Sequence, residues 1–600
     1  MVLGVIDWII VVAFLGITLY IGLKFKNQAS NSLTDFFLAG RNLPWYIAGI
    51  SMVATTFAAD TPLWVAEVIH KNGISGNWLW WNMLIGGMLT TFFFAKMWRK
   101  SGVITELEFL ELRYSGKAAQ WFRKFKAIYL GVFFNCIIIG WVNAAMIKIL
   151  MVFLNIDYST AFIYIGILMI VIAIYSTLSG LLGVAITDAL QFVLAMTGCI
   201  ILAVLMLNSE EVGGVAGLKE KLPEWRFNFF PTIGEHDSTV GTFGLTIGAF
   251  FSFIAVQWWA SWYPGNEPGG GGYISQRMMS TKNEQHAVFA TLFFQIAHYA
   301  LRPWPWIVVG LCALVVYPDL DSTEAGNGFV MAMKDFMPSG LKGLLFTAFL
   351  GAYMSTISTQ LNWGASYLTN DLYKKQLEEN HKEIIQKKMV KAGKIFTIII
   401  MAIALTITSF IETIDGAARF LIASSAGLGA VLILRWYWSR INIWSEITAT
   451  IAPILGYCLG KFIIAPMFES NLGNIFIENE GILLFTTLFT TISWIIVTFL
   501  TLPENEKTLK NFYLKVEPEG AWNNVRNQLK LPQKKSQIIH LIICWISAIT
   551  LTYSVLFLIG KLIFHDFYHA AINLVIAVPS FFTLRYFVLR TSIFSNQPKN

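Results

Sequence analysis

Charge is what this chain has least of. Of its 600 residues, 13% are Asp, Glu, Lys or Arg and 56% are hydrophobic, whereas a soluble domain carries about 25% charged residues. Cysteine is sparse as well. The five present (Cys136, Cys199, Cys312, Cys458 and Cys544) all lie inside apolar runs without disulfide or zinc spacing, the pattern of small buried thiols. The eight histidines scatter along the chain and gather in no His/Cys ligand cluster. No nucleophile elbow or ATP-binding signature is present, and Gly269–Gly272 has no strand pattern before it and no Lys-Ser/Thr after it, which removes a phosphate-loop reading. No enzymatic constellation remains. The net charge of +7 is not gathered on any basic arm, so nucleic-acid binding is not expected. Lys24 and Lys26 follow the first apolar run rather than precede it, so that run reads as an uncleaved span and not a signal peptide.

What the chain has in quantity is apolar runs of about twenty residues, each long enough to cross a hydrocarbon core about 30 Å thick. In lipid such runs must be helical, because the backbone finds no water to bond. Spans are expected near 5–24, 42–70, 76–98, 124–153, 159–178, 183–208, 240–263, 285–316, 341–371, 389–411, 415–438, 443–466, 480–501, 537–563 and 567–589. The connecting segments alternate in charge. Lys24, Lys26 and Arg41 open a basic set that continues with Arg99–Lys124, Arg277 and Lys282, Lys374–Lys391, Arg435 and Arg440, and Lys507–Lys535. The other set, Asn155–Asp157, Asp319–Glu324, Glu412–Asp415 and Glu469–Glu480, is acidic or bare. Basic loops face the cytoplasm, so the expectation is an all-α, multi-pass protein of the plasma (inner) membrane with its N-terminus outside and its C-terminus cytoplasmic. Residues 103–115 read as a short amphipathic helix and 502–535 as a polar, mostly basic connector.

Ionisable and hydroxyl-bearing residues inside spans carry the functional signal. Asp60 sits mid-span beside Thr55, Thr56, Thr61 and Pro62, a composition that suits either a broken, ion-binding helix or a kinked packing helix. Ser355, Ser358 and Thr359 share one helical face, with Thr356 turned away; such hydroxyls serve a sodium site or interhelical packing. Asp188 is the one acid in the first turns of the sixth span, either a cap near water or a site residue. In QWWASWYPGNEPGGGGYISQR (257–277), Trp258, Trp259 and Trp262 with Gln257 and Glu267 could wall a polar solute or form an interfacial aromatic belt. Trp304 and Trp306, in LRPWPW, read as a structural kink.

The segments DFFLAGRNLPWYIAGISMVATTF (35–57), GLLGVAITDALQF (180–192), YISQR (273–277) and AYMSTIST followed by NDLY (352–373), in this order, resemble the sodium:solute symporter family across about residues 1–440. The resemblance implies a LeuT-type fold with one leading helix. Two inverted five-helix repeats would follow at 42–208 and 240–438, each opening on an interrupted helix. Peripheral helices would occupy 439–501 and 536–600. It further implies a sodium site formed by carbonyls of Ala54, Phe57 and Ala352 with hydroxyls of Ser355 and Thr356. A second sodium would bind at Asp188, Ser355, Ser358 and Thr359. Where proline transporters of the family carry Ser-Gly-Trp this chain has Ala58-Ala59-Asp60, and where the sugar transporters carry Asn-Gln before the Tyr of YISQR it has Gly271-Gly272.

The expected function is therefore sodium-coupled import of a small polar solute, with a lean towards a neutral sugar or polyol met by Asp60, Gln257, Trp258, Trp259, Trp262 and Glu267. An amino-acid or organic-acid symporter, a proton-coupled carrier using Asp60 or Asp188, and a non-transporting membrane sensor are the alternatives. Its partners would be sodium ions, the solute and the lipid bilayer.

Overall fold

The computed structural model describes residues 3–29, 31–231, 245–321, 324–380, 385–411, 414–468, 470–532, 535–591 and 593. The fold is 81% helical, with no strand among the described residues. Among the described residues eleven helices are long and apolar enough to cross a membrane, or twelve if the pair Gly416–Ser424 and Leu428–Tyr437, bent by 49°, forms one span. The expected count of fifteen is not a count of continuous helices. Three of the expected spans, 42–70, 76–98 and 240–263, are interrupted, and residues 240–244 of the last lie outside the described residues, as do 412–413 of the acidic set and Glu469.

Helix α1 (Val5–Ala29) leads. Its Asp7 carboxylate accepts from the backbone N–H groups of Gly340 and Gly343, both at 2.7 Å, so the leading helix caps the start of α11, defined below, and is locked against it. The first interrupted span consists of α2 (Trp45–Thr55) and α3 (Asp60–Asn72), separated by four residues. Pro62 lies in the first turn of α3, where a missing N–H costs no helical bond. The third span begins as α4 (Trp78–Trp81), is interrupted at Asn82 and continues as α5 (Met83–Leu89). Helix α6 (Tyr158–Leu207) contains two crossings joined at Gly180 (φ 56°, ψ −162°), a backbone geometry open to glycine. The second interrupted helix is formed by α7 (Ile247–Ala260) and α8 (Gly272–Ser280). The glycine run lies in the break between them, where Trp98 Nε1 donates to Gly269 O at 2.9 Å and a Cβ at Gly270 would meet the same nitrogen at 2.9 Å. These glycines allow two helices to approach closely. Helix α9 (Glu284–Ile296) runs towards α10 (Trp304–Val316) through a distorted turn at Arg302 and Pro303.

At the centre stands α11 (Leu341–Tyr367), 94% buried across its most apolar window, packed against α6, α2 and α1. The polar connector is not loose. It folds as α12 (Glu506–Val516) and a short helix, Asn523–Gln528, and Trp522 Nε1 donates to Trp436 O at 2.9 Å. The chain's described part closes with a hairpin, α13 (Ile538–Ile563) and α14 (Phe567–Val588). The segment expected as a helix over 103–115 is helical only at Glu108–Arg113.

Side chains tie the basic segments together at one end of the bundle. Arg41 Nη2 donates to Gly102 O (2.6 Å), Arg99 Nε to Thr281 O (2.7 Å), Lys375 pairs with Glu111 (2.9 Å) and Arg113 Nε donates to Arg435 O (2.7 Å). Several basic residues of this set are not solvated charges. Glu446 holds both Lys126 (2.6 Å) and Arg435 (2.9 Å), and Arg123 pairs with Asp371 at 2.6 Å, with all five side chains 6% exposed or less. Such pairs persist in an apolar surround only when paired and hydrogen-bonded. Because the basic segments share one end, single cysteines at Gln376 and Gln528 are expected to react with an impermeant thiol reagent from one side of the membrane and a cysteine at Asn155 from the other. Labelling of Gln376→Cys and Gln528→Cys from opposite sides would contradict this arrangement.

Candidate functional site

The interruption between α2 and α3 faces the middle of α11. Thr356 Oγ1 donates to Thr55 O at 3.0 Å and stands 3.2 Å from Ala352 O, so one hydroxyl joins the two helices at the break. The Ala54 carbonyl accepts from Phe57 N–H at 3.0 Å. Ala54, Phe57, Ala352, Ser355 and Thr356 are all buried, 4% exposed at most. The five donors are uncharged carbonyl and hydroxyl oxygens, the chemistry a small hard cation prefers. On the other side of the break Arg302 Nη1 donates to Val53 O (3.1 Å) and to Thr56 Oγ1 (3.0 Å), while His298 Nδ1 lies 2.9 Å from the same hydroxyl. Thus α11 and the turn before α10 grip the unwound segment between them.

Beside the break opens a small cavity of about 80 Å³, below the roughly 300 Å³ of a typical small-molecule site, so a bound solute would have to widen it. Asp60, at the N-terminus of α3, lines it with Oδ1 free of any hydrogen bond, and Arg302, 1% exposed, lines it with Nε likewise free. Trp64, Trp80 and Trp141 give flat walls, and Tyr299, Asn266 and Gln360 give further polar groups. Trp80 stacks on Tyr299 with ring centres 5.8 Å apart. Thr356 and Thr55 belong to the cavity wall as well as to the break.

Residues 36–452, more than half of the chain, match the sodium:solute symporter family. The chain belongs to that family. It is 25% identical over 472 residues to sodium/glucose cotransporter 1 of Oryctolagus cuniculus, a match covering 71% of this chain and 66% of that protein. It is 23% identical over 518 residues to the sodium/glucose cotransporter of Vibrio parahaemolyticus, covering 82% and 92%. In three dimensions it is similar to a Na⁺-coupled sialic acid symporter solved substrate-bound and outward-open, with a TM-score of 0.66, 18% identity and coverage of 84% of this chain and 99% of that one. That likeness shows the fold, which is LeuT-type. The family and these relatives are transporters and not enzymes, with sodium as the coupling ion.

Within this symporter fold the oxygens expected for a second sodium meet a guanidinium. Asp188 is fully buried and does not face water. It accepts from Ser355 Oγ and Ser51 Oγ, each at 2.6 Å, and stands 3.5 Å from Arg277 Nη2. Arg277, also fully buried, donates through Nη2 to Thr359 Oγ1 (2.7 Å) and Thr55 Oγ1 (2.9 Å) and through Nε to Ser51 Oγ (2.8 Å). Ser358 Oγ is turned back onto Ser355 O. A guanidinium supplies five donors and a fixed charge, so a second ion at these oxygens would have to displace it.

The aromatic residues expected to wall the solute do not reach the cavity. Trp258 turns outward, its indole on Ile254 O and its ring 5.8 Å from that of Trp545. Trp259 donates to Ala255 O. Trp262 is sandwiched between Phe134 and Trp363, at 5.6 and 6.4 Å. Gln257 Nε2 donates to Leu79 O at 3.1 Å, and Glu267 accepts from Gly265 N–H inside the glycine-rich break. Only Asp60 of the six expected solute residues lines the cavity. The physical reason is helical direction: a widened turn at Phe253–Gln257 offsets the helical count for Gln257, Trp258 and Trp259, and after α7 ends at Ala260 the extended segment re-aims Trp262 and Glu267. His298 and Arg302 were missed. Their signal was available, since Arg302 is a charge within an apolar span, but the adjacent LRPWPW motif was read only as a kink.

Two outcomes follow from this geometry. Thr356→Ala removes both a candidate ligand and the bond across the break, and is expected to raise the half-saturating sodium concentration by about tenfold or more, measured as sodium-dependent thermal stabilisation of the purified protein. Asp188→Asn leaves Arg277 buried without its counter-charge and is expected to cost about 3–5 kcal/mol, read as a lowered melting temperature, while the sodium-to-solute flux ratio stays at its wild-type value.

Proposed function

We propose that this protein couples downhill sodium entry to import of a small polyhydroxylated solute, a neutral sugar or polyol, by alternating access. The observation that carries the reading is that Thr356 takes part in both the sodium-type oxygen set and the wall of the cavity. Sodium bound at the break between α2 and α3 would draw the unwound carbonyls and α11 together, and so shape the cavity beside Asp60. Differential affinity of the two access states for the ion then supplies the coupling. Its magnitude is sufficient: one charge crossing 100 mV yields about 2.3 kcal/mol, and tenfold accumulation of a neutral solute costs about 1.4 kcal/mol.

The sugar class is supported by the cavity's chemistry. Tryptophan faces suit the C–H faces of a pyranose ring, Asp60 accepts from hydroxyls, and one carboxylate with one guanidinium leaves the lining without net charge. A second reading is favoured by the free Nε of Arg302: a solute bearing a carboxylate, such as an amino acid or a sugar acid, could span Arg302 and Asp60. The charge rule supports a cytoplasmic placement of the basic end, and in a plasma membrane with an inwardly directed sodium gradient the coupled solute would move inward.

Uptake into proteoliposomes is expected with a sodium gradient and not with a pH gradient alone, which separates sodium coupling from proton coupling and from a non-transporting sensor. Neutral sugars should compete for that uptake, and Asp60→Asn should weaken solute affinity by about tenfold while leaving sodium affinity nearly unchanged. Competition by carboxylate-bearing solutes alone, abolished by Arg302→Gln, would replace the sugar reading with the second one.

A further inference from the structure

The C-terminal hairpin lies beyond residues 36–452, the part that matches the family, yet α13 is packed against the walls of the cavity. Trp545, Tyr553, Leu556 and Gly560 are spaced so that one stripe of α13 carries all four. Tyr553 OH donates to Trp81 O at 2.8 Å and Trp545 Nε1 donates to Ile85 O at 2.8 Å. These carbonyls flank the interruption at Asn82, where Ile85 N–H bonds to Asn82 O (3.1 Å) and the Asn82 side chain donates to Trp78 O (2.8 Å) and Leu79 O (2.9 Å). The adjoining residues Trp80 and Met83 line the cavity. The same stripe holds the second wall. Trp304, two residues after Arg302, donates through Nε1 to Leu556 O at 3.0 Å, and its ring occupies the space over Gly560 so fully that a Cβ there would stand 1.9 Å from Trp304 Cη2.

An irregular helix in an apolar medium keeps one geometry only when its exposed carbonyls have fixed donors. Of the cavity-lining irregularities outside the α2–α3 break, two are tied to α13, which donates on either side of Asn82 and accepts from Trp304 beside Arg302–Pro303, and no other helix joins these two through side-chain hydrogen bonds among the described residues. We propose that α13 sets the solute affinity of the central cavity, with Tyr553 and Gly560 as positioning residues that act through Trp80 and Arg302. The inference rests on the reading of this cavity as the solute site.

The test uses the full chain in nanodiscs with Met83→Cys as a reporter of the cavity wall, labelled by a small methanethiosulfonate reagent in sodium buffer. Tyr553→Phe deletes one hydroxyl, and Gly560→Ala displaces the Trp304 ring. Each is expected to change the labelling rate several-fold. Each should also raise by about tenfold the concentration at which D-glucose, D-galactose or D-mannose, whichever protects best, halves that rate. The half-saturating sodium concentration should not move, an outcome that general loosening of the fold would not give. If neither substitution alters labelling or protection, or if sodium and sugar constants shift together, the proposal is overturned. If no sugar protects but both substitutions still alter labelling, the sugar reading fails and the bracing of the cavity by α13 stands.

Discussion

A broken helix inside a bilayer leaves carbonyl and amide groups that only the protein itself can satisfy, and the architecture of this transporter is arranged around that requirement. At the break between α2 and α3 the donors are Thr356, reaching Thr55 O from α11, and Arg302, reaching Val53 O from the turn before α10. At Asn82 they are the Asn82 amide itself, Gln257 from α7 and Tyr553 from α13. Each donor comes from a different helix, so satisfying the backbone also fixes how those helices meet. The unwound segments are thereby held in place, and the same oxygens that need donors are available to a cation.

Charge is handled by the same economy. In an apolar interior an isolated ion is costly and a paired one is tolerated. Asp188 and Arg277 lie fully buried in a net of four hydroxyls, and Glu446 answers two cations among the basic segments. Asp60 and Arg302 differ in position, since the polar atom each keeps without a protein partner belongs to a side chain lining the cavity. Groups left unsatisfied beside a cavity are where a polar solute gains most by binding, because it replaces water at atoms the protein does not cover. On the proposed reading, sodium and solute would meet at adjacent faces of one unwound segment, a short physical route for their coupling.

The C-terminal hairpin adds a second layer to this arrangement. Helix α14 contacts little besides α13 and is largely exposed to lipid, with 11% of its window buried, whereas α13 inserts aromatic side chains against two irregular helices. A peripheral position in the chain is therefore not a peripheral position in the structure.

Much of this was legible in the residues themselves. Long apolar runs separated by alternating charge dictate a helical membrane bundle with its basic segments at one end, because lipid forbids unpaired backbone and the period of the runs matches its thickness. Asp60 beside Pro62 and a threonine cluster marked the first interruption, since polar groups in a span need a local reason. The sequence could not say which way Trp258 and Trp259 point, because the widened turn at Phe253–Gln257 breaks the regular helical count, nor where Trp262 points, because α7 stops at Ala260 and the extended segment after it has no helical period. Nor could it pair Asp188 with Arg277, 89 residues away, or bring Tyr553 to Trp81 across 472 positions. Local composition by itself determined that this is a polytopic helical protein and where its helices weaken. Which weak points face one cavity, and which side chains close the open bonds there, was decided only by tertiary packing, because a hydrogen bond between distant helices depends on their relative placement and leaves no trace in the spacing of either one.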